Sequence, residues 1–116
     1  MKITVYQKPT CTTCRPVMAI LREMGADIDA INYYVDPIPK STLKLLLTKM
    51  GLRPKDILRS KDQVYKDLQI GSKQYTDAEL IDLLVQHPDL LQRPIVERGD
   101  KAILARPAER IKELFA

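Results

Sequence analysis

The sequence predicts an α/β fold in which a mixed four-stranded sheet is built from an N-terminal βαβ unit and a C-terminal ββα unit, with helices inserted over about residues 41–90. Three observations lead to this fold class. A β-type segment at the N-terminus is followed by apolar residues at helical spacing, the middle of the chain has a helical pattern, and two short β-type segments then flank a turn. With 116 residues, 45% hydrophobic and 29% charged, the chain has the size and composition of a single packed domain spanning residues 1–116.

The N-terminal unit follows the order strand, helix, strand. Residues 2–6 are β-branched and aromatic with alternating character, which predicts a strand. Over residues 17–24 apolar residues recur at the i, i+3, i+4 and i+7 positions of a helix, and Gly25 stands where a C-terminal cap belongs. Residues 28–35 predict a second strand, which ends before Pro37. Two strands joined by one helix imply a right-handed parallel crossover.

The middle of the chain predicts a succession of helices. Ser41 is placed to cap a helix that ends at Gly51. Shorter helical stretches cover Pro54–Leu58 and Lys61–Leu68. Thr76 and Glu79 have the spacing of a capping box, so they predict the start of a further helix, which ends before His87.

The C-terminal part predicts a β-hairpin and a last helix. Residues 94–97 and 101–104 are β-type segments on either side of an Arg-Gly-Asp turn at 98–100. Pro107 fits the first turn of a helix. The apolar residues of this helix lie on one side: Ala108, Ile111, Leu114 and Phe115. The complete order is that of a thioredoxin-like fold with helices inserted between its two halves.

The charge balance favours a small anionic ligand over nucleic acid. The chain carries 19 Lys and Arg against 15 Asp and Glu, and the net charge of +4 is spread along the sequence without a basic run. The longest apolar stretches, such as residues 45–47, are far shorter than the roughly 20 residues that cross a bilayer. The N-terminus begins with a β-type segment instead of a signal peptide. We therefore expect a cytoplasmic protein with no membrane partner and no direct nucleic-acid partner.

The two cysteines, Cys11 and Cys14, are expected to carry the chemistry. A disulfide across so short a loop constrains the unfolded chain very little, so redox chemistry explains the pair better than a structural staple does. Cys11 is expected at the start of the first helix, where unpaired backbone N–H groups and the helix dipole favour its thiolate, with Arg15 as a nearby cation. We interpret Cys11 as the nucleophile and Cys14 as the thiol that resolves an adduct on it.

Other interpretations of these residues stay open. Zinc usually takes four ligands, and the sequence offers one histidine and no second cysteine pair, so no metal site is predicted. An incidental buried cysteine pair is a further alternative. His87 stands at the end of a predicted helix, where capping or packing is a commoner role than general-base catalysis.

The sequence resembles the glutaredoxin-linked arsenate reductase family, which shares a thioredoxin-fold superfamily with the Spx-type regulators. The resemblance covers nearly the whole chain. It is carried by Lys8-Pro9-Thr10-Cys11, by Leu58-Arg59-Ser60-Lys61, by the most specific run, His87 to Val96, and by Ala105 to Glu109. The resemblance implies that the Cys11 sulfur reduces arsenate to arsenite, and the fold it implies has a cis peptide bond at Pro94.

The resemblance also implies an oxyanion site and a reductant. Arg59, Arg93 and Arg106 correspond to the arginines with which the family binds its oxyanion, and guanidinium forks suit a tetrahedral oxyanion. Without the family, each would be interpreted as an ordinary solvated charge. We expect the three to converge beside the Cys11 sulfur. No tightly bound cofactor is implied, and the electrons would come from external glutathione with glutaredoxin, or from thioredoxin.

Two residues depart from the family pattern. Gln7 stands where members typically have a histidine that lowers the pKa of the nucleophile, so activation has to come from the helix terminus and cationic neighbours. Cys14 stands where they typically have serine, and the resulting Cys-x-x-Cys resembles the Spx-type regulators. The alternatives are therefore a redox-sensing regulator that binds RNA polymerase and an orphan thiol-disulfide oxidoreductase. Arg106 favours the reductase, because Spx-type sequences generally lack it.

Overall fold

The computed structural model describes residues 2–115, and its sheet is mixed and four-stranded, as predicted. The strands are β1 (Lys2–Gln7), β2 (Asp27–Asn32), β3 (Ile95–Arg98) and β4 (Lys101–Leu104). They lie in the order β2-β1-β3-β4. β1 pairs parallel with β2 and antiparallel with β3, and β3 pairs antiparallel with β4. The N-terminal strand pair and the C-terminal hairpin therefore join through β1, which confirms the fold class.

Helix α1 (Cys14–Glu23) connects β1 to β2 and packs its apolar side against the sheet. Val17 and Leu21, one helical turn apart, are fully buried. They belong to a core that includes the strand residues Ile3, Val5, Val96 and Ile103. After the helix, Gly25 takes a left-handed φ of +72° and its N–H donates to the Arg22 carbonyl oxygen. The predicted glycine at the helix end is confirmed.

The described residues form two compact units. The first contains the sheet and comprises the residues up to Asp36 and from Arg93 onward, and the second is Pro37–Gln92. The second unit contains α2 (Lys40–Met50), α3 (Gln63–Asp67) and α4 (Asp77–Gln86), with 3₁₀ turns at Pro54–Ile57, Ile70–Ser72 and Pro88–Leu90. Helices thus occupy the segment for which they were predicted. That residues 1–116 act as one domain stays a prediction.

The helix starts of the second unit agree only in part with the sequence. α4 begins with the predicted capping box: Thr76 Oγ1 accepts a hydrogen bond from the Glu79 N–H at 3.2 Å, and Glu79 Oε1 accepts one from the Thr76 N–H at 2.9 Å. The prediction that Ser41 caps α2 is wrong. The N-cap is Pro39, because its carbonyl oxygen already accepts the first hydrogen bond of the helix, from Leu43.

Two element boundaries and one helix type in the first unit differ from the prediction. β2 ends at Asn32, because the side chain of Asn32 accepts a hydrogen bond from the Tyr34 N–H and turns the chain out of the sheet. α1 begins at Cys14, so Cys11 precedes the helix instead of starting it. The last helix is a 3₁₀ helix over Ala108–Phe115.

The helices are short. The longest in the described part of the chain, α2, has 11 residues. Between residues 2 and 115, no helix combines the length and the apolar composition that a membrane crossing needs.

Candidate active site at the cysteine pair

Cys11 lies in the loop between β1 and α1. Its N–H donates to the Lys8 carbonyl oxygen at 2.9 Å, which closes a tight turn after β1. Thr13, the N-cap of α1, already has helical backbone angles, with φ −74° and ψ −30°. The first N–H groups of α1 therefore face the loop without acceptors inside the helix. Because Cys11 is half-buried, its sulfur can contact these donors and still meet a ligand.

The surroundings of Cys11 favour its thiolate. Burial, the largest single influence, raises the pKa of this thiol. Against burial, the sulfur accepts hydrogen bonds from the Cys14 thiol, from the backbone N–H groups of Cys14 and Thr13, and from the Arg93 guanidinium. Together these donors outweigh burial, so the pKa of Cys11 lies below that of an ordinary cysteine.

The cation at the Cys11 sulfur is Arg93 rather than Arg15, which the sequence suggested. Arg15 instead lines a surface cavity of about 190 Å³. The other residues of that cavity are Gln7, Pro9, Met18 and Arg22. The arginine that contacts the sulfur comes from the far end of the sequence, which local charge in the cysteine loop could not indicate.

The surroundings of Cys14 favour its neutral thiol. It is the first residue of α1 and only 1% exposed. Burial, the hydrogen bond to the Cys11 sulfur and the negative charge of the Cys11 thiolate raise the pKa of Cys14 to about 12. The pair therefore consists of a half-buried sulfur whose pKa is lowered and a buried thiol whose pKa is raised. This asymmetry agrees with the roles that the sequence analysis assigns to the two cysteines.

Arg93 is a buried cation held by two tyrosines. Arg93 lies two residues before the start of β3, and it is only 6% exposed. Nη1 donates to the Tyr34 hydroxyl at 3.1 Å and to the Tyr33 hydroxyl at 3.4 Å. Burial, which lowers the pKa of Arg93, is outweighed by its interactions with these tyrosines and with Cys11, so the pKa is raised. The guanidinium stays charged beside the sulfur. The peptide bond between Arg93 and Pro94 is cis, as predicted.

The sequence analysis missed Lys8 and the two tyrosines. Lys8 Nζ lies 4.8 Å from the centre of the Tyr34 ring, and Arg93 Cζ lies 5.7 Å from it, so two cations contact one aromatic ring. Sequence reasoning placed Tyr33 and Tyr34 inside the second strand. The signal that could have found them is their position at the carboxyl end of a parallel strand, where ligand sites of α/β proteins gather.

Arg106 reaches the cysteine loop from the end of β4. Its Nη1 donates to the Arg93 carbonyl oxygen at 3.1 Å and to Thr13 Oγ1 at 3.3 Å. Unlike Arg93, it is exposed, and its peptide bond to Pro107 is also cis. The structure therefore brings Cys11, Cys14, Arg93 and Arg106 together within the first unit.

Arg59 belongs to the second unit. Its N–H donates to the Leu90 carbonyl oxygen at 2.7 Å, and its Nη1 lies 3.9 Å from Asp62 Oδ2. The convergence of Arg59 with the other two arginines stays a prediction. His87, in the same unit, follows α4 as its C-cap, and its N–H donates to the Leu83 carbonyl oxygen, which agrees with the capping role expected for it. Within residues 2–115, no three His, Cys, Asp or Glu residues are grouped to hold a metal ion.

Comparison with known proteins places this chain in a family. The ArsC family matches residues 6–114 of the chain. The arsenate reductase of Escherichia coli K12 is 34% identical over 113 residues, which cover 97% of this chain and 80% of that protein. An uncharacterized protein of the same organism, YfgD, is 30% identical over 114 residues, and the match covers 97% of this chain and 96% of YfgD.

A solved structure agrees with the fold. The arsenate reductase from Vibrio cholerae superimposes with a TM-score of 0.92 at 32% sequence identity, and the match covers 97% of each chain. The family match spans both the cysteine loop and Arg106, the two ends of the site described above. The chain therefore belongs to the ArsC family, as its sequence resemblance predicted.

Proposed function

We propose that this protein is a thiol-dependent oxidoreductase that reduces arsenate to arsenite, with Cys11 as the nucleophile. The observation that carries the proposal is a sulfur with a lowered pKa beside the guanidinium of Arg93, with Arg106 attached to the same loop. The E. coli and V. cholerae relatives are named arsenate reductases, which supports the same substrate here.

The burial of Arg93 supports an anionic ligand. A cation that is 6% exposed is costly unless an anion neutralises it. Arg93 Nη1 donates to the phenol hydroxyls of Tyr33 and Tyr34, which are uncharged acceptors. The Cys11 thiolate supplies one negative charge, and a bound oxyanion would supply more. Arg106 is exposed, so it can turn toward the ligand and form the bidentate contacts that a tetrahedral oxyanion accepts.

Binding between guanidinium groups prepares the first chemical step. Arsenate and the thiolate are both anions, and their repulsion falls once the arginines neutralise the oxyanion. The Cys11 sulfur then attacks pentavalent arsenic, an S–As bond forms, and one As–O bond breaks, with the oxygen leaving as water after protonation. Arsenic is still pentavalent in this adduct.

Cys14 is proposed to complete the reduction. Its sulfur attacks the Cys11 sulfur, the S–As bond breaks, and the electron pair of that bond stays on arsenic, which leaves as trivalent arsenite. The two thiols lose two electrons as they become a disulfide. Cys14 gives up its thiol proton as it attacks, and an oxygen of the departing arsenite takes up that proton.

An external dithiol is proposed to restore the enzyme, and no tightly bound cofactor is involved. The Cys11–Cys14 disulfide would be reduced by thioredoxin or glutaredoxin, so free glutathione need not attack the adduct. The cytoplasm, where such reductants operate, is the compartment we expect. Arg59 is assigned to oxyanion binding by the family resemblance alone, and its part is tested by kinetics below.

Arsenate reduction with a thioredoxin or glutaredoxin recycling system tests the proposal. Wild type should reduce arsenate, Cys11→Ser should be inactive, and Arg106→Ala should lose most of its activity because the oxyanion loses a bidentate partner. Loss of thioredoxin-linked turnover in Cys14→Ser, with glutathione restoring part of it, would support the resolving role. An inactive wild type that binds RNA polymerase would falsify the proposal in favour of the regulator.

A further inference from the structure

We propose that the reduced Cys11–Cys14 pair is also a binding site for trivalent, thiol-seeking oxyacids, of which arsenite is the representative, and that occupancy of this site blocks the nucleophile. The juxtaposition that carries the inference is a Cys-x-x-Cys pair in a chain with only two cysteines, with Cys11 half-buried in the loop before α1 and Cys14 buried as the first residue of that helix. The binding does not depend on arsenate reduction.

The geometry of the pair suits a ligand that bonds to both sulfurs. The turn closed by the Cys11 N–H and the Lys8 carbonyl oxygen leads directly into α1, so Cys11 stands just before the helix whose first residue is Cys14, and each sulfur influences the pKa of the other. Soft thiolate donors bind soft, polarisable centres in preference to hard oxygen-seeking ions. A first bond to one sulfur holds the ligand beside the other, which raises the effective concentration for the second bond.

Formation of the bridged complex needs no oxidant or reductant, because arsenic exchanges oxygen for sulfur without a change in oxidation state. Arsenous acid has three hydroxyl groups on trivalent arsenic. Two S–As bonds form, two As–O bonds break, and the two thiol protons leave with the two oxygens as two molecules of water. Arsenic stays trivalent and keeps one hydroxyl, so it is three-coordinate, and two cysteines are enough where zinc would need four ligands.

The sulfurs rather than the arginines would recognise this ligand. Arsenous acid is uncharged at neutral pH, so the guanidinium groups of Arg93 and Arg106 gain no ion pair with it. Access begins at Cys11, because Cys14 is 1% exposed. The second bond, between arsenic and the Cys14 sulfur, then forms at a buried position that is shielded from water.

Occupancy would depend on the redox state of the pair. A Cys11–Cys14 disulfide has no thiol to offer, so the oxidised protein cannot capture the ligand. The reduced protein can, and a bridged Cys11 is no longer a nucleophile. In a cell where trivalent arsenic accumulates, the reduced protein would therefore be held inactive until the ligand level falls.

Equilibrium dialysis of the fully reduced protein against arsenite, with arsenic analysis and thiol titration, tests this inference without turnover. We expect about one arsenic per chain and the joint loss of both titratable thiols. Phenylarsine oxide, whose arsenic can exchange oxygen for two sulfurs, should give the same stoichiometry. Cys14→Ser should bind arsenite roughly a hundredfold more weakly, since the second bond is lost.

Two controls separate this site from the oxyanion site and from misfolding. Wild type oxidised to its disulfide should not bind, which tests the thiol requirement without a substitution. Arg106→Ala should bind arsenite as wild type does even where it fails to reduce arsenate. Failure of reduced wild type to bind arsenite, or equal affinity in wild type and Cys14→Ser, would overturn the inference whatever the outcome of the reductase assay.

Discussion

Tyr34 illustrates how single residues organise the site. Its hydroxyl accepts a hydrogen bond from Arg93 at 3.1 Å, and its ring contacts both that guanidinium and the Lys8 ammonium. Lys8 in turn fixes the cysteine loop, because its carbonyl oxygen accepts the Cys11 N–H. Tyr34 is therefore a positioning residue, which acts on the Cys11 sulfur through Arg93.

Tyr34→Phe should make Cys11 less reactive. The substitution keeps the ring and removes one acceptor of Arg93, so the guanidinium is free to turn away from the sulfur. One hydrogen bond contributes about 1 kcal/mol, which corresponds to a roughly fivefold smaller thiolate fraction below the pKa. The rate of iodoacetamide alkylation as a function of pH measures this thiolate fraction. Tyr65→Phe, in the second unit, is the matched control and should leave the profile unchanged; an unchanged profile in Tyr34→Phe would remove Tyr34 from this role.

The fold should shift the pKa values of the two cysteines in opposite directions, with Cys11 below and Cys14 above the pKa of an ordinary cysteine. Because the folded pKa of Cys11 is lowered, the alkylation midpoint of native protein should lie below that of the urea-unfolded chain. The stability that ionised Cys11 contributes is present above the unfolded pKa and is lost as pH falls through the folded pKa. Unfolding titrations of wild type and Cys11→Ser at several pH values measure this. If the difference in stability between them does not shrink toward low pH, the thiolate is not stabilised by the fold.

The limits of sequence reasoning at this scale are physical. Cys11 and Cys14 could be identified because their spacing alone carries the signal. Arg93 could be identified only through the family, and Tyr34 not at all, because the hydrogen bond between them joins residues 59 positions apart. No local pattern encodes a contact over that separation.

At the scale of elements, helix α1 and its preceding loop determine the chemistry. The helix was predicted from its buried side, but its start was placed too early, at Cys11. In the structure Cys11 lies outside the helix, where its sulfur accepts hydrogen bonds from the N–H groups of Thr13 and Cys14. The error in the boundary therefore concerns the feature that activates the nucleophile.

The capping box of α4 gives a test of element stability. Thr76→Ala removes the side-chain acceptor of the Glu79 N–H and should lower the free energy of unfolding by about 1 kcal/mol. Thr48→Ala is the control: Thr48 is exposed inside α2 and its hydroxyl bonds only back to the Lys44 carbonyl oxygen, so the change should stay within about 0.5 kcal/mol. Urea denaturation measures both, and equal effects would show that the cap does not stabilise α4.

At the scale of the whole molecule, the fold class and the family membership were both predictable, because each depends on patterns that run along the chain. The sheet places Arg106, at the end of β4, on the loop that follows β1. The sequence could not show which cations meet the sulfur, since that depends on the strand order and on side-chain burial. Arg59 in the second unit remains predicted by resemblance.

Arg59→Lys tests that remaining assignment. If Arg59 binds the oxyanion with a bidentate fork, lysine keeps the charge and loses one hydrogen bond, so kcat/KM for arsenate should fall roughly tenfold. Arg53→Lys is the matched control, because Arg53 is exposed and already paired with Asp77 at 3.1 Å. Steady-state kinetics with the recycling system measure both variants. Equal effects of the two substitutions would remove Arg59 from the oxyanion site.

A single-turnover measurement tests the central claim most directly: that Cys11 and Cys14 together supply the two electrons for arsenate reduction. Fully reduced protein is mixed with excess arsenate in the absence of any other thiol, and arsenite and remaining thiols are counted per chain. We predict about one arsenite per chain with the loss of both thiols to a Cys11–Cys14 disulfide, and no arsenite from Cys14→Ser. Intact thiols and no arsenite in wild type would contradict the account.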